Sequence, residues 1–148
     1  MTSLDAARFL IGLNASPTAK DAPEAVRAFE VITNCWETQA GISGLCVKGE
    51  TFISAIMALL GLCADPSLRE KIKAADLEIE VLFVRPVPHA YIFVSLTHWD
   101  DQVPVTRRIG EALYGDTIDL IRKNAPDRLD TCKISQRTLL VAADVIAN

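Results

Sequence analysis

The chain has 148 residues, half of them hydrophobic, and a formal net charge of -4. That length suits one domain with a full core. That apolar content offsets the entropy of folding, so no large disordered part is expected. The acidic balance argues against nucleic acid as a partner. The longest apolar run lies inside residues 52–63 and is too short to span a bilayer. The N-terminus carries no basic segment ahead of a clean apolar one, so no cleaved signal is expected. The expectation is a single domain over residues 1–148, in the cytoplasm, with no membrane partner. Export by a route that needs no cleaved signal stays open.

Taken in order, the elements begin with a short helix over Leu4 to Leu13. "NASPTAKDAPE" follows as a loop rich in turn residues. Pro23 suits the first position of a second helix, with Asp21 or Ala22 before it. Ala25, Phe29 and Ile32 mark its apolar face, through about Cys35. "TQAGISG" breaks the pattern. The next helix is expected to begin near Cys46, with Ile53, Ile56, Met57 and Leu60 as a core-facing stripe and Gly61 at its end. "ADPSLREKIKAAD" reads as a turn and a short polar helix.

"LEIEVLFV", residues 77–84, alternates like a strand, with Leu77, Ile79, Val81 and Phe83 on one face. Pro86 and Pro88 interrupt the ladder. "HAYIFVSL" is a second strand. Ala90, Ile92, Val94 and Leu96 share one face; His89, Tyr91, Phe93 and Ser95 share the other. "THWDD" can turn the chain, and "QVPVT" can return as a short third strand, at an edge because of Pro104. Helical signals follow at Arg107 to Tyr114, at Asp116 to Ile121, and after Ser135 with the stripe Leu139, Ala142, Ala143 and Ile146. The class is α+β: helices packed on a small antiparallel sheet.

The cysteines are Cys35, Cys46, Cys63 and Cys132, with no CxxC or CxH pair, so neither a structural zinc site nor any other metal is expected. Cys46 is the candidate nucleophile, because a thiolate is favoured at a helix N-terminus and Gly44 and Gly49 leave room beside it. The competing reading is a buried, inert cysteine, the common fate of this residue. His89 is the candidate base, since a nucleophilic thiol needs one within hydrogen-bond reach. His98 competes with it from the hairpin turn. Asp101, or Asp100, is the candidate group that orients the imidazole, on the expectation that a hairpin returns it beside His89; the alternative is a polar turn. Gln39 can donate to an oxyanion together with the Cys46 N–H. Cys35 is a rival nucleophile near a helix end of unfavourable dipole sign. Cys63 and Cys132 read as structural.

Together "GLC", "AIMALLGL", "LEIEVLFV", "HAY" and "WDD" resemble the transglutaminase-like branch of the papain-like cysteine protease superfamily, over about residues 39–104. The resemblance implies a papain/transglutaminase-like core with Cys46 as nucleophile, His89 as base and Asp101 or Asp100 as orienting acid. It implies acyl transfer or amide hydrolysis through a thioester, on a peptide or protein substrate, without a cofactor. Tyr91 stands where the family usually has tryptophan, and Phe93 where an acidic residue is common. These departures motivate one alternative, an inactive member of the same fold. The other is a non-catalytic acidic protein-binding module, such as a secretion chaperone or immunity-type protein, which would expose an apolar patch for its partner.

Overall fold

The computed structural model describes residues 1–36, 47–74, 76–115 and 130–147. Its elements are α1 (Ser3–Ala15), α2 (Ala22–Glu30), α3 (Phe52–Ala64), α4 (Pro66–Lys73), β1 (Leu77–Arg85), β2 (His89–Asp100), β3 (Val103–Tyr114), β4 (Asp130–Ser135) and α5 (Gln136–Ala147). The helix starts have local causes. Thr2 and Asp5 form a reciprocal capping box at α1: the Thr2 hydroxyl accepts from the Asp5 N–H at 3.1 Å, and the Asp5 carboxylate accepts from the Thr2 N–H at 3.0 Å. Thr51 caps α3. Asp65 caps α4 by accepting from the Ser67 and Leu68 N–H groups, both at 3.0 Å, with Pro66 in the first turn.

The four strands form one antiparallel sheet in the order β3-β2-β1-β4. The alternation expected for residues 77–84 and 89–96 is realised. Ile79, Val81 and Phe83 of β1 lie in register with Val94, Ile92 and Ala90 of β2, and all six are buried in the core. Phe29 of α2, Phe52 of α3, Phe83 and Tyr114 close this core with tilted and edge-on ring contacts at 5.2–6.2 Å. In α5, Leu139 and Ala143 are buried and Ala142 and Ile146 are half-buried, which is the stripe read from the sequence.

Several boundaries differ from expectation. Helix α3 starts at Phe52, not near Cys46, because Thr51 supplies the cap and Gly49, at φ +83, turns the chain just before it. Helix α2 stops at Glu30, and Thr33 and Asn34 form isolated bridges to Thr51 and Tyr114 instead of a further helical turn. Residues 107–114 are not a helix. They are the second half of β3, because β2 offers them a continuous ladder from Arg107↔Leu96 to Tyr114↔Ala90, with an irregularity at Val94/Ser95 taking up the odd residue. β2 also runs on through "THWD" to Asp100, and the turn is Asp101–Gln102. Both turn residues hold positive φ, 45° and 69°, as a two-residue hairpin of this hand requires. Pro104 lies on an edge strand, as expected. β4 was not foreseen. The helix expected from Asp116 lies outside the described residues.

Beyond Leu96, β2 has no β1 partner, so the β2–β3 hairpin projects from the body with Trp99 and Val103 exposed. Among the described residues no single helix is long and apolar enough to cross a membrane.

Candidate functional site

His89 opens β2 and is only 2% exposed. It pairs with Val84 on one side. On the other side the end of β3 presses against it. A Cβ added to Gly115 would lie 2.8 Å from the His89 Cβ and 2.9 Å from the Pro88 carbonyl oxygen. Gly115 also holds φ +105, so the absence of a side chain is needed twice over. The last turn of β3 and the first residue of β2 are therefore one packed corner.

A second piece of chain is laced into the same corner. The Gly115 N–H donates to the Thr33 carbonyl at 3.1 Å, and the Cys35 N–H donates to the Leu113 carbonyl at 2.9 Å. Asn34 joins this short segment to the turn after Cys46: its N–H donates to the Glu50 carbonyl, and its own carbonyl accepts from the Gly49 N–H, both at 2.9 Å. The Glu50 carboxylate then accepts from the Val47 N–H at 3.2 Å and from the Tyr114 hydroxyl at 2.5 Å, the two on one oxygen. Residues 47–50 are thus tied, through Asn34, Glu50 and Tyr114, to the strand end that abuts His89. Asn34 is 2% exposed. Its side-chain oxygen accepts from the Trp36 N–H at 3.0 Å. Its side-chain nitrogen is buried with no hydrogen-bond partner among the described residues.

The face of β2 that carries His89 also carries Tyr91 and Phe93. Their rings stack at 5.9 Å and 14°. Trp36 meets Tyr91 edge-on at 6.4 Å, and the Arg108 guanidinium lies 4.2 Å over Phe93. Burial, and secondarily the nearby Cys35 thiol, raise the Tyr91 phenol above its ordinary pKa.

The candidate residues separate as follows. Cys46 and Gln39 lie outside the described residues. The helix start that was to activate Cys46 belongs instead to Thr51 and Phe52, and the helix field fades within the first turn. Asp100 and Asp101 do not orient His89. β2 is extended from His89 to Asp100, so eleven residues at about 3.3 Å each separate the two ends by roughly 36 Å. The hairpin closes at that far end, which is why it returns neither aspartate to the histidine. His98 is exposed near the same tip. Cys35 is half-buried and level with Leu113 and Tyr91 across the sheet. The dipole objection to it falls, because α2 ends at Glu30. Cys63 is sealed in α3, and burial pushes its thiol up to about 11 against the opposing pull of Arg69. The Cys132 thiol donates to the Asn14 side-chain oxygen at 3.3 Å.

Sequence reading missed Asn34, Glu50, Tyr114 and Gly115. The register of β2 on β3, with Tyr114 opposite Ala90, is what sets Gly115 against His89 and hangs Asn34 and Glu50 on the same strand end, and only "LYGD" at the end of an alternating stretch hinted at it. Among the described residues no three His, Cys, Asp or Glu side chains stand together as a metal site. No protein-family model, curated protein or solved structure matches this chain.

Proposed function

We propose that this chain is a cysteine-dependent acyltransferase or amidase acting on a peptide or protein substrate, with Cys46 as nucleophile and His89 as base. In this reading His89 takes the thiol proton as sulfur attacks an amide carbonyl. The C–N bond then breaks, and His89 returns the proton to the leaving amine. Water or a second amine, deprotonated by His89, attacks the thioester; the C–S bond breaks and the thiol is restored.

One observation carries this reading. The turn that leaves Cys46 is hydrogen-bonded, through Glu50 and Asn34, to the strand end packed on His89. The acid that orients the imidazole is then sought at that end of β3 and not at the hairpin tip. Gln39 keeps its role as oxyanion donor, and the Asn34 side-chain amide, a buried donor without a described partner, is a second candidate for it.

A second reading, a non-catalytic protein-binding module, draws on a different observation. Phe9, Leu13, Val141 and Val145 are exposed together on one face of the helices.

The rate of iodoacetamide alkylation at each cysteine, mapped by peptide against pH in wild type and His89→Ala, separates the two. The catalytic reading expects Cys46 to react fastest, to keep reacting well below the ~8.5 of a free thiol, and to lose that low-pH reactivity without His89. A Cys46 that is inert, or indifferent to His89, sinks the catalytic reading. Fastest reaction at Cys35 would move the nucleophile there.

A further inference from the structure

A cavity of about 430 Å³ opens between one face of α2, the last residue of β1 and the first of β4. That size is within the range of roughly 300–1,000 Å³ usual for small-molecule sites. Spacing sets the face of α2: Asp21, Glu24, Ala25 and Ala28 fall at i, i+3, i+4 and i+7. Ala25 and Ala28 are half-buried and, with the buried Phe29, make an apolar floor; Asp21 and Glu24 are exposed at the rim. Arg85 stands in the wall, with Asp130 opposite it in the β1–β4 ladder.

Arg85 is the unexplained group here. Opposite charges at facing positions of a ladder ordinarily pair. Yet no ion pair joins Arg85 to Asp130, and among the described residues nothing accepts a hydrogen bond from the guanidinium, whose Nε is buried. A cation held partly out of water needs an anion to offset its desolvation, and the cavity is where there is room for one. A planar guanidinium suits a carboxylate or a phosphate. Asp21, Glu24 and Asp130 around the mouth decide between them, because they repel a dianion and attract a cation. The floor takes an apolar group. We infer that this cavity binds a small zwitterion, an α-amino acid with an apolar side chain. Its carboxylate pairs with the Arg85 guanidinium, its ammonium faces the Asp21 and Glu24 carboxylates, and its side chain lies against Ala25, Ala28 and Phe29. Asp21 already accepts from the Thr18 hydroxyl at 2.6 Å, which steadies its carboxylate at the rim and leaves further lone pairs for an ammonium. The inference does not rest on the cysteine chemistry.

Isothermal titration calorimetry of the full chain with L-leucine, L-methionine and L-phenylalanine tests it. At least one is expected to bind with a Kd of about 1 mM or tighter, which a ligand of so few atoms can supply. Glycine, which leaves the floor empty, should bind at least ~10-fold more weakly. For leucine, removal of the ammonium (4-methylpentanoate) should weaken binding at least ~3-fold, and removal of the carboxylate (3-methylbutylamine) at least ~10-fold. Arg85→Met keeps the apolar stem and is expected to weaken amino-acid binding at least ~10-fold. Glu24→Lys, on the exposed rim, is expected to weaken it at least ~3-fold. Circular dichroism checks that each variant folds, and Glu24→Lys carries the test if Arg85→Met does not. Three amino acids that fail to bind overturn the proposal. So does binding that survives either folded variant, or binding of 4-methylpentanoate or inorganic phosphate as tight as that of the amino acid.

Discussion

Replacing Gly115 with alanine is expected to strain the corner that holds His89. The residue sits at φ +105, where an L side chain costs about 1–3 kcal/mol. The new Cβ would stand 2.8 Å from the His89 Cβ and 2.9 Å from the Pro88 oxygen. The Pro88 oxygen belongs to the backbone and cannot swing aside, so overpacking adds about 1–3 kcal/mol more. The combined loss of about 2–6 kcal/mol is a large share of the stability of an ordinary domain. Urea unfolding followed by far-UV circular dichroism measures it directly, and Gly61→Ala supplies the contrast. Gly61 is exposed in α3, with nothing within 4 Å of an added Cβ. Helix propensity alone then decides, and that variant is expected to gain about 0.8–1 kcal/mol. The two glycine substitutions should therefore move the midpoint in opposite directions. A Gly115→Ala midpoint equal to that of wild type would refute the packed corner, and with it the argument that the end of β3 positions His89.

Further outcomes follow from the same contacts. Glu50→Ala should cost about 1–2 kcal/mol in urea unfolding, because it removes the carboxylate that accepts from the Tyr114 hydroxyl. Asp100→Asn and Asp101→Asn, at the far end of β2 from His89, should leave the low-pH alkylation of Cys46 unchanged. Native Cys63 should resist alkylation at about pH 8.5, where a free thiol is half ionised, since burial holds it at about 11, and react freely in denaturant. Acid should destabilise the fold. Hydrogen bonds from the Leu68 N–H and the Ser67 hydroxyl hold the Asp65 carboxyl below its ordinary value, and Arg69 does the same to Asp144. A depressed folded pKa contributes stability above the unfolded value of about 3.9 and loses it as pH falls through the folded one. Urea midpoints should drop from about pH 4 downward, and less steeply in Asp65→Asn.

What the sequence by itself determined is what local periodicity encodes. The strand at 77–84 and the first part of the next, at 89–96, were legible because each buries one face, so that every second residue had to be apolar. Pro23 announced the start of α2 and Ser135 that of α5 with no need of a neighbour. The tertiary structure decided wherever a segment could serve two elements. Residues 107–114 suit a helix by composition, and they became strand because the edge of β2 that faces away from β1, from Leu96 back to Ala90, offers them a ladder. That choice moved the hairpin tip to Asp101–Gln102 and carried Asp100 and Asp101 to the far end from His89. Side-chain neighbours across a sheet depend on register, and register is set by the whole pairing of two strands, not by the spacing of two residues along the chain. For the same reason Glu50, Asn34, Tyr114 and Gly115, which are scattered in sequence, meet at one corner only after the sheet has formed.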